Sequence, residues 1–199
     1  MTTITADQVR QLRELTGAGM MECKKALAEN GGDVEKAIDA LRKSGAAKAE
    51  KRADRASNEG RVDTYIHPGN RVGVLIEVNC ETDFVARTPE FADLVRNLAM
   101  QAAAAGADYV RREEVPADRI ERERAIFLGQ LEGSGKPANI LDKIVDGKVE
   151  KYYSEICLLD QPYIKDDKMT IAQLVQEFAS RTGENVVVRR FTRYRLGQD

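Results

Sequence analysis

The chain contains a single histidine and only three cysteines, and it has no long apolar run and no excess of either charge. Each scarcity closes off a class of function. Cys23, Cys80 and Cys157 are odd in number and widely spaced, with no CxxC pair, so neither a disulfide framework nor a zinc site is supported. A reducing cytosol suits them. His67 gives a histidine-based triad or metal cluster one member and no partners, and beside Pro68-Gly69-Asn70 it reads as a surface turn residue. With 31 Lys and Arg against 33 Asp and Glu, the net charge of -2 provides no field to hold a polyanion, so direct nucleic-acid binding is not expected. No stretch reaches the length needed to span a bilayer, and MTTITADQVRQLREL lacks the basic and apolar regions of a leader. A soluble, unexported, cytoplasmic protein without cofactor or bound metal is expected.

What is present is 42% hydrophobic residues in a clear pattern, enough to bury a core. Thr5 and Gln8 have capping-box spacing, and Val9, Leu12 and Leu15 follow at helical period until Thr16-Gly17. Met21, Lys24, Leu27 and Ala28 continue a second helix to Asn30-Gly31-Gly32. Val34, Ala37, Ile38 and Leu41 mark a third behind an Asp33 cap. Residues 1–45 therefore read as a three-helix domain. Residues 46–59, where alanine alternates with Lys48, Lys51, Arg52 and Arg55, read as an exposed connector helix.

From residue 60 to 199 the pattern is that of an α+β core. Val62, Thr64 and Ile66 alternate before the turn, and Val72, Val74, Ile76 and Val78 alternate after it, which specifies a β-hairpin. Thr88-Pro89-Glu90 starts a helix lined by Phe91, Leu94, Val95, Leu98 and Ala102. Further helices are expected from Pro116 to Leu131, from Pro137 to a stop by Pro162 with Ile140, Leu141, Ile144, Val145, Tyr152 and Ile156 facing inward, and behind a Thr170/Gln173 capping box. The run Val186 to Tyr194 supplies a third strand, giving a three-stranded antiparallel sheet packed by helices.

Catalytic signatures are thin. Gly133-Ser134-Gly135-Lys136-Pro137 has a P-loop's ending, but Gln130 stands at its first glycine position and Pro137 replaces the magnesium-holding hydroxyl. Glu81 and Asp83 form an acid/base pair on paper, yet no nucleophile, cofactor fingerprint or oxyanion donor accompanies them, so no enzyme is expected. Met20 and Met21 follow a Thr-Gly-Ala-Gly hinge, one suited to a partner contact and the other to the core. In VNCETDFVAR, residues 78–87, two readings stand: Thr82 or Asp83 caps a turn and Phe84 packs inward, or the ring points out as a binding element. Glu81 and Arg87 either orient this segment or stay solvated.

LRELTGAGMMECKKAL at 12–27, VNCETDFVAR at 78–87, QPYIKDDK at 161–168 and GENVVVRRF at 183–191 together closely resemble the bacterial elongation factor Ts family, in its short, single-core form. The resemblance implies a guanine nucleotide exchange factor that releases GDP from elongation factor Tu, with a ubiquitin-associated-like N-terminal domain. It implies that Thr82, Asp83, Phe84 and Val85 dislodge magnesium from the GTPase, the ring inserting between its helices. Arg13, Met20 and Met21 would contact the partner's nucleotide domain, and the core sheet a second domain. Lacking the second subdomain of longer forms, the chain is expected to form a C2 homodimer binding two partners. Two other readings compete: an adaptor that binds through Met20 and Met21 without affecting nucleotide, and an RNA-associated protein using Lys48 to Arg55.

Overall fold

A computed structural model describes residues 4–131 and 137–198, so Gly133 to Lys136 lie outside the described residues. The expected α+β class is what folds: three N-terminal helices, a three-stranded antiparallel sheet, and further helices. The described chain divides into two compact units, and neither is continuous in sequence. One comprises the chain up to Gly60 with Asn79–Arg87 and Leu174–Val187; the other comprises Arg61–Val78, Thr88–Gln173 and the chain from Val188.

The first unit begins with α1 (Ala6–Thr16), α2 (Met20–Glu29) and α3 (Val34–Glu50). The Thr5/Gln8 capping box forms as its spacing requires, Thr5 N donating to Gln8 Oε1 at 2.9 Å and Gln8 N to Thr5 Oγ1 at 3.3 Å. Val9, Leu12, Cys23, Ala26, Leu27 and Ala37 form the small core. The apolar stripe of α2 is thus Cys23, Ala26 and Leu27, not the Met21, Lys24, Leu27, Ala28 stripe expected, because with Leu27 inward the helical period brings Cys23, one turn earlier, to the same face. Leu15 also points outward. No separate helix spans 46–59. Instead α3 continues to Glu50, and residues 51–55 turn out of it.

In the same unit lies most of α8 (Ile171–Thr182), which approaches the helices closely. Arg42 Nε of α3 pairs with Glu177 Oε1 at 3.2 Å, and Arg52 donates to Ala179 O at 3.4 Å. Gly45 permits this approach, since a Cβ there would stand 2.8 Å from Ser180 Oγ. Gly17 is constrained twice. It ends α1 in the left-handed region at φ 66°, and an added Cβ would collide with the side-chain methylenes of Arg181.

The second unit holds the body of the sheet, in the order β1 (Glu59–Ile66), β2 (Val72–Cys80), β5 (Val187–Arg195). Along β2, Val74, Ile76, Val78 and Cys80 are buried on one face, the period-two burial that the sequence pattern requires. Helix α5 (Pro89–Ala105) buries Phe91, Leu94, Val95, Leu98 and Ala102 as expected, behind a Thr88 cap that accepts from Phe91 N at 3.2 Å. Helices α6 (Ala117–Gly129) and α7 (Ala138–Ile156) pack together, and a short hairpin of β3 (Pro162–Tyr163) and β4 (Asp166–Thr170) follows. Val145 and Ile156 face inward on α7, whereas Ile140 is exposed. Sequence periodicity missed the β3–β4 hairpin, which the buried Gln101 amide holds: it donates to Pro162 O at 3.1 Å and accepts from Ile164 N at 2.9 Å. Among the described residues, no helix is long and apolar enough to cross a membrane.

Gly17→Ala is expected to lower the unfolding free energy by about 1–2 kcal/mol, the cost of a left-handed non-glycine residue, before any displacement of Arg181. Urea unfolding checks this: the midpoint should fall with the slope unchanged, and an unaltered midpoint means that neither restraint operates.

Candidate functional site

At Cys80 the strand ends and the chain must turn without abandoning its backbone donors. Glu184, between α8 and β5, receives them. The Glu81 and Thr82 N–H groups both donate to Glu184 Oε2, each at 3.1 Å, and the Thr82 hydroxyl donates to Glu184 Oε1. The neighbouring residue reverses the exchange, Asn185 N donating to Glu81 Oε1 at 2.6 Å. Arg55 also reaches Glu81 Oε1 at 3.4 Å, and the buried Asn185 side chain donates to Ala53 O and Arg55 O at 3.1 and 2.9 Å. Three segments distant in sequence, residues 53–57, 81–82 and 184–185, are thereby joined inside one compact unit.

On this base stands α4 (Asp83–Ala86), a single helical turn capped by Thr82, whose Oγ1 accepts from Val85 N at 3.4 Å. Asp83 pairs with Arg87 one turn on, at 2.9 Å. Ala86 is buried and Val85 half-buried, which anchors the turn. Phe84 is 82% exposed. The inward-packing reading of the ring therefore fails, although its other half, the Thr82 cap, is present. Leaving a phenyl ring in water forgoes roughly 1.5–3 kcal/mol of burial.

A second exposed apolar group flanks the turn between α1 and α2. Thr16 Oγ1 donates to Leu12 O at 2.7 Å and accepts from Ala18 N at 3.3 Å, fixing the turn. On either side, Leu15 is 63%, Met20 44% and Met21 76% exposed, with Arg13 exposed on α1. Both methionines face outward, where one was expected to fill the core. Leu15 is the member of this group that helical period assigned to the interior. Both exposed groups belong to the same unit.

A family model described as Elongation factor TS matches residues 4–198. The chain is similar to elongation factor Ts of Desulforamulus reducens, 54% identical over 198 residues covering 100% of this chain and 91% of the relative. It is similar also to that of Heliobacterium modesticaldum, 55% identical, covering 98% and 91%. With elongation factor Ts of Caldanaerobacter subterraneus the identity is 53%, covering 98% of both chains. The chain belongs to the elongation factor Ts family. Family membership makes it a guanine nucleotide exchange factor for elongation factor Tu in translation elongation.

Among the described residues no group of three or more His, Cys, Asp or Glu is placed to hold a metal ion. The acid pair considered from sequence is divided by the fold: Glu81 is engaged with Asn185 and Arg55, and Asp83 with Arg87. Glu184 and Asn185 are the residues that sequence reasoning missed. The only signal for them was their place within GENVVVRRF, since their partners lie about a hundred positions away. Cys80, under this turn, donates to Thr82 O at 3.2 Å, and burial together with the Glu184 carboxylate pushes its thiol up to about 11.

At pH 8 the thiolate population of Cys80 is thus about a hundredfold smaller than that of a thiol at the ordinary value of 9.0. Iodoacetamide labelling followed by peptide mass spectrometry should find Cys80 slow in the native protein and fast in urea. Because the folded thiol is raised, its contribution to stability is complete below pH 9.0 and is lost as pH climbs toward 11.

Proposed function

We propose that this exchange factor acts by seating the α4 turn against the magnesium-binding region of elongation factor Tu, with Phe84 as the inserting ring and Thr82, Asp83 and Val85 shaping its mount. The observation that carries the reading is an 82% exposed phenyl ring on a turn clamped by Glu184. Magnesium bridges nucleotide phosphates to protein oxygens, so displacing its ligands weakens GDP with no covalent step on either protein. A thousandfold faster release requires about 4 kcal/mol, and burying one phenylalanine contributes roughly 1.5–3. The ring therefore needs help. The exposed group of Arg13, Leu15, Met20 and Met21 on the N-terminal helices is suited to supply it. In this reading residues 1–45 and the core from residue 60 make separate contacts with one partner in the cytoplasm.

The same proposal includes a homodimer, two chains binding two partners. Its support is the solvent-facing side of the sheet. Val62 and Ile66 of β1, Leu75 of β2 and Tyr194 of β5 are exposed there. Strand alternation puts them on one face, where Arg190 and Glu77 also pair at 2.7 Å. Ile66 Cδ1 lies so near Gly73 that a Cβ would be 2.9 Å from it. An apolar patch ringed by charge is the self-complementary surface that a two-fold interface uses.

Two experiments test these parts. With elongation factor Tu loaded with fluorescent GDP, the native protein at catalytic concentration should release nucleotide rapidly, and Asp83→Ala plus Phe84→Ala should be at least roughly tenfold slower while still binding. Equal rates would sink the probe assignment. In sedimentation, Leu75→Glu should convert a dimer to a monomer, because a charge buried in an interface core is strongly disfavoured. A native monomer at micromolar concentration, alone and with its GTPase, would remove the dimer. An intact Leu75→Glu dimer that binds elongation factor Tu weakly would assign the face to the partner instead.

A further inference from the structure

A helical turn of four residues has almost no stability of its own, since helix nucleation is unfavourable and short helices are marginal in water. Something outside α4 must hold it. The Asp83–Arg87 pair is the local candidate, but both ends are substantially exposed and such pairs contribute little. The Thr82 cap is the other candidate, and a cap orders a helix only if the cap residue is itself fixed. Beside the Cys80 thiol that donates to its carbonyl, Thr82 is held by Glu184, which takes its N–H and its hydroxyl, and the N–H of Glu81 as well. These are charge-assisted bonds made to a half-buried carboxylate, the stronger class.

We infer that Glu184 is the positioning residue for nucleotide exchange, holding Thr82 so that Phe84 is presented in one orientation. The inference rests on the reading of Phe84 as the inserting ring. Both Glu184 oxygens accept from this chain's own donors, so Glu184 acts through the turn. Glu81, bound to Asn185 N and to Arg55, keeps the facing segment in register and complements Glu184. Side-chain geometry sets the rank of substitutions. Glutamine keeps an oxygen able to accept both N–H groups, aspartate is one methylene too short to span the turn, and alanine leaves two backbone donors and a hydroxyl without their acceptor.

The test uses the full-length chain with elongation factor Tu carrying fluorescent GDP, and compares native protein with E184A, E184Q, E184D, F84A and E184A/F84A. Expected is a maximal release rate slower by about tenfold in E184A, as the loss of a charged hydrogen-bond set implies, with most of the rate restored in E184Q and little in E184D. Half-saturating concentration should move far less than the maximal rate, because the N-terminal contacts are untouched. In the double variant, loss of Glu184 should add nothing to loss of the ring, the non-additivity that marks residues acting as one unit. Hydrogen exchange read on peptides covering residues 79–87 should accelerate in E184A and stay near native in E184Q, while native protection kept in peptides of α5 shows that both variants are folded. Native-like release by E184A, or losses that multiply in E184A/F84A, overturns the assignment. If F84A alone releases GDP as fast as native protein, the ring reading falls. That outcome is told apart by the exchange of residues 79–87: protection lost in E184A keeps Glu184 as the clamp of the turn, and protection retained removes it.

Discussion

Two crossed carboxylates determine how this molecule presents itself. Glu184 accepts the backbone donors of residues 81 and 82, and Glu81 accepts the backbone donor of residue 185. A chain leaving a strand has N–H groups that must be paired with something, and water is the usual acceptor. Here a side chain from about a hundred residues away is the acceptor, and the end of β2 becomes a fixed platform instead of a loop. Asn185 extends the platform by taking the carbonyls of Ala53 and Arg55, which close the segment after α3. The N-terminal helices, the α4 turn and the end of α8 thus belong to one compact unit although the chain visits it three times.

Most of the fold was legible from residue patterns, and what escaped them has a common cause. Caps and alternation act within a few residues, so the Thr5/Gln8 box, the Thr88-Pro89 start of α5, the Thr170/Gln173 box and the buried face of β2 form as read. The failures are all decided by distant parts of the chain. Periodicity puts Leu15 and one of Met20 and Met21 in the core, yet all three are exposed, outside the cluster of Val9, Leu12, Cys23, Ala26, Leu27 and Ala37. The connector expected at 46–59 is in part the last turns of α3, which run past the expected boundary beside α8, where Gly45 meets Ser180. The β3–β4 hairpin has strands too short to show alternation, and a buried glutamine on α5 holds it. At the candidate site, the α4 segment was visible as a motif, while the carboxylate and amide that hold its base, Glu184 and Asn185, have their partners about a hundred residues away.

The core's chemistry is correspondingly quiet. Cys23, Cys80 and Cys157 are all buried and free, and burial pushes both Cys80 and Cys157 up to about 11, so neither is a ready nucleophile. Arg119, bonded to Tyr152, Tyr109 and Asp108, and Arg112, bonded to Asp160 and Glu150, are saturated with partners in the second unit. Among the exposed apolar groups of the described residues are a ring, two thioethers and a leucine in one unit, and a sheet face in the other.

On the proposed mechanism, stiffness is the property that matters most. Binding energy can dislodge a metal ion only if the strain of insertion falls on the GTPase and not on the inserting element. A phenyl ring on a loose loop would retreat as readily as it entered, and its roughly 1.5–3 kcal/mol of burial would be absorbed in ordering the loop. A turn whose cap is already held in the free protein has had its ordering entropy removed in advance, so the contact energy is available to distort the partner. Reciprocity then fixes the other half of the cycle: whatever factor the ring takes from GDP affinity, a returning nucleotide takes from the affinity for the ring. An exchange factor must leave as well as arrive, which argues for a small inserted side chain on a rigid mount over a large, tightly buried interface.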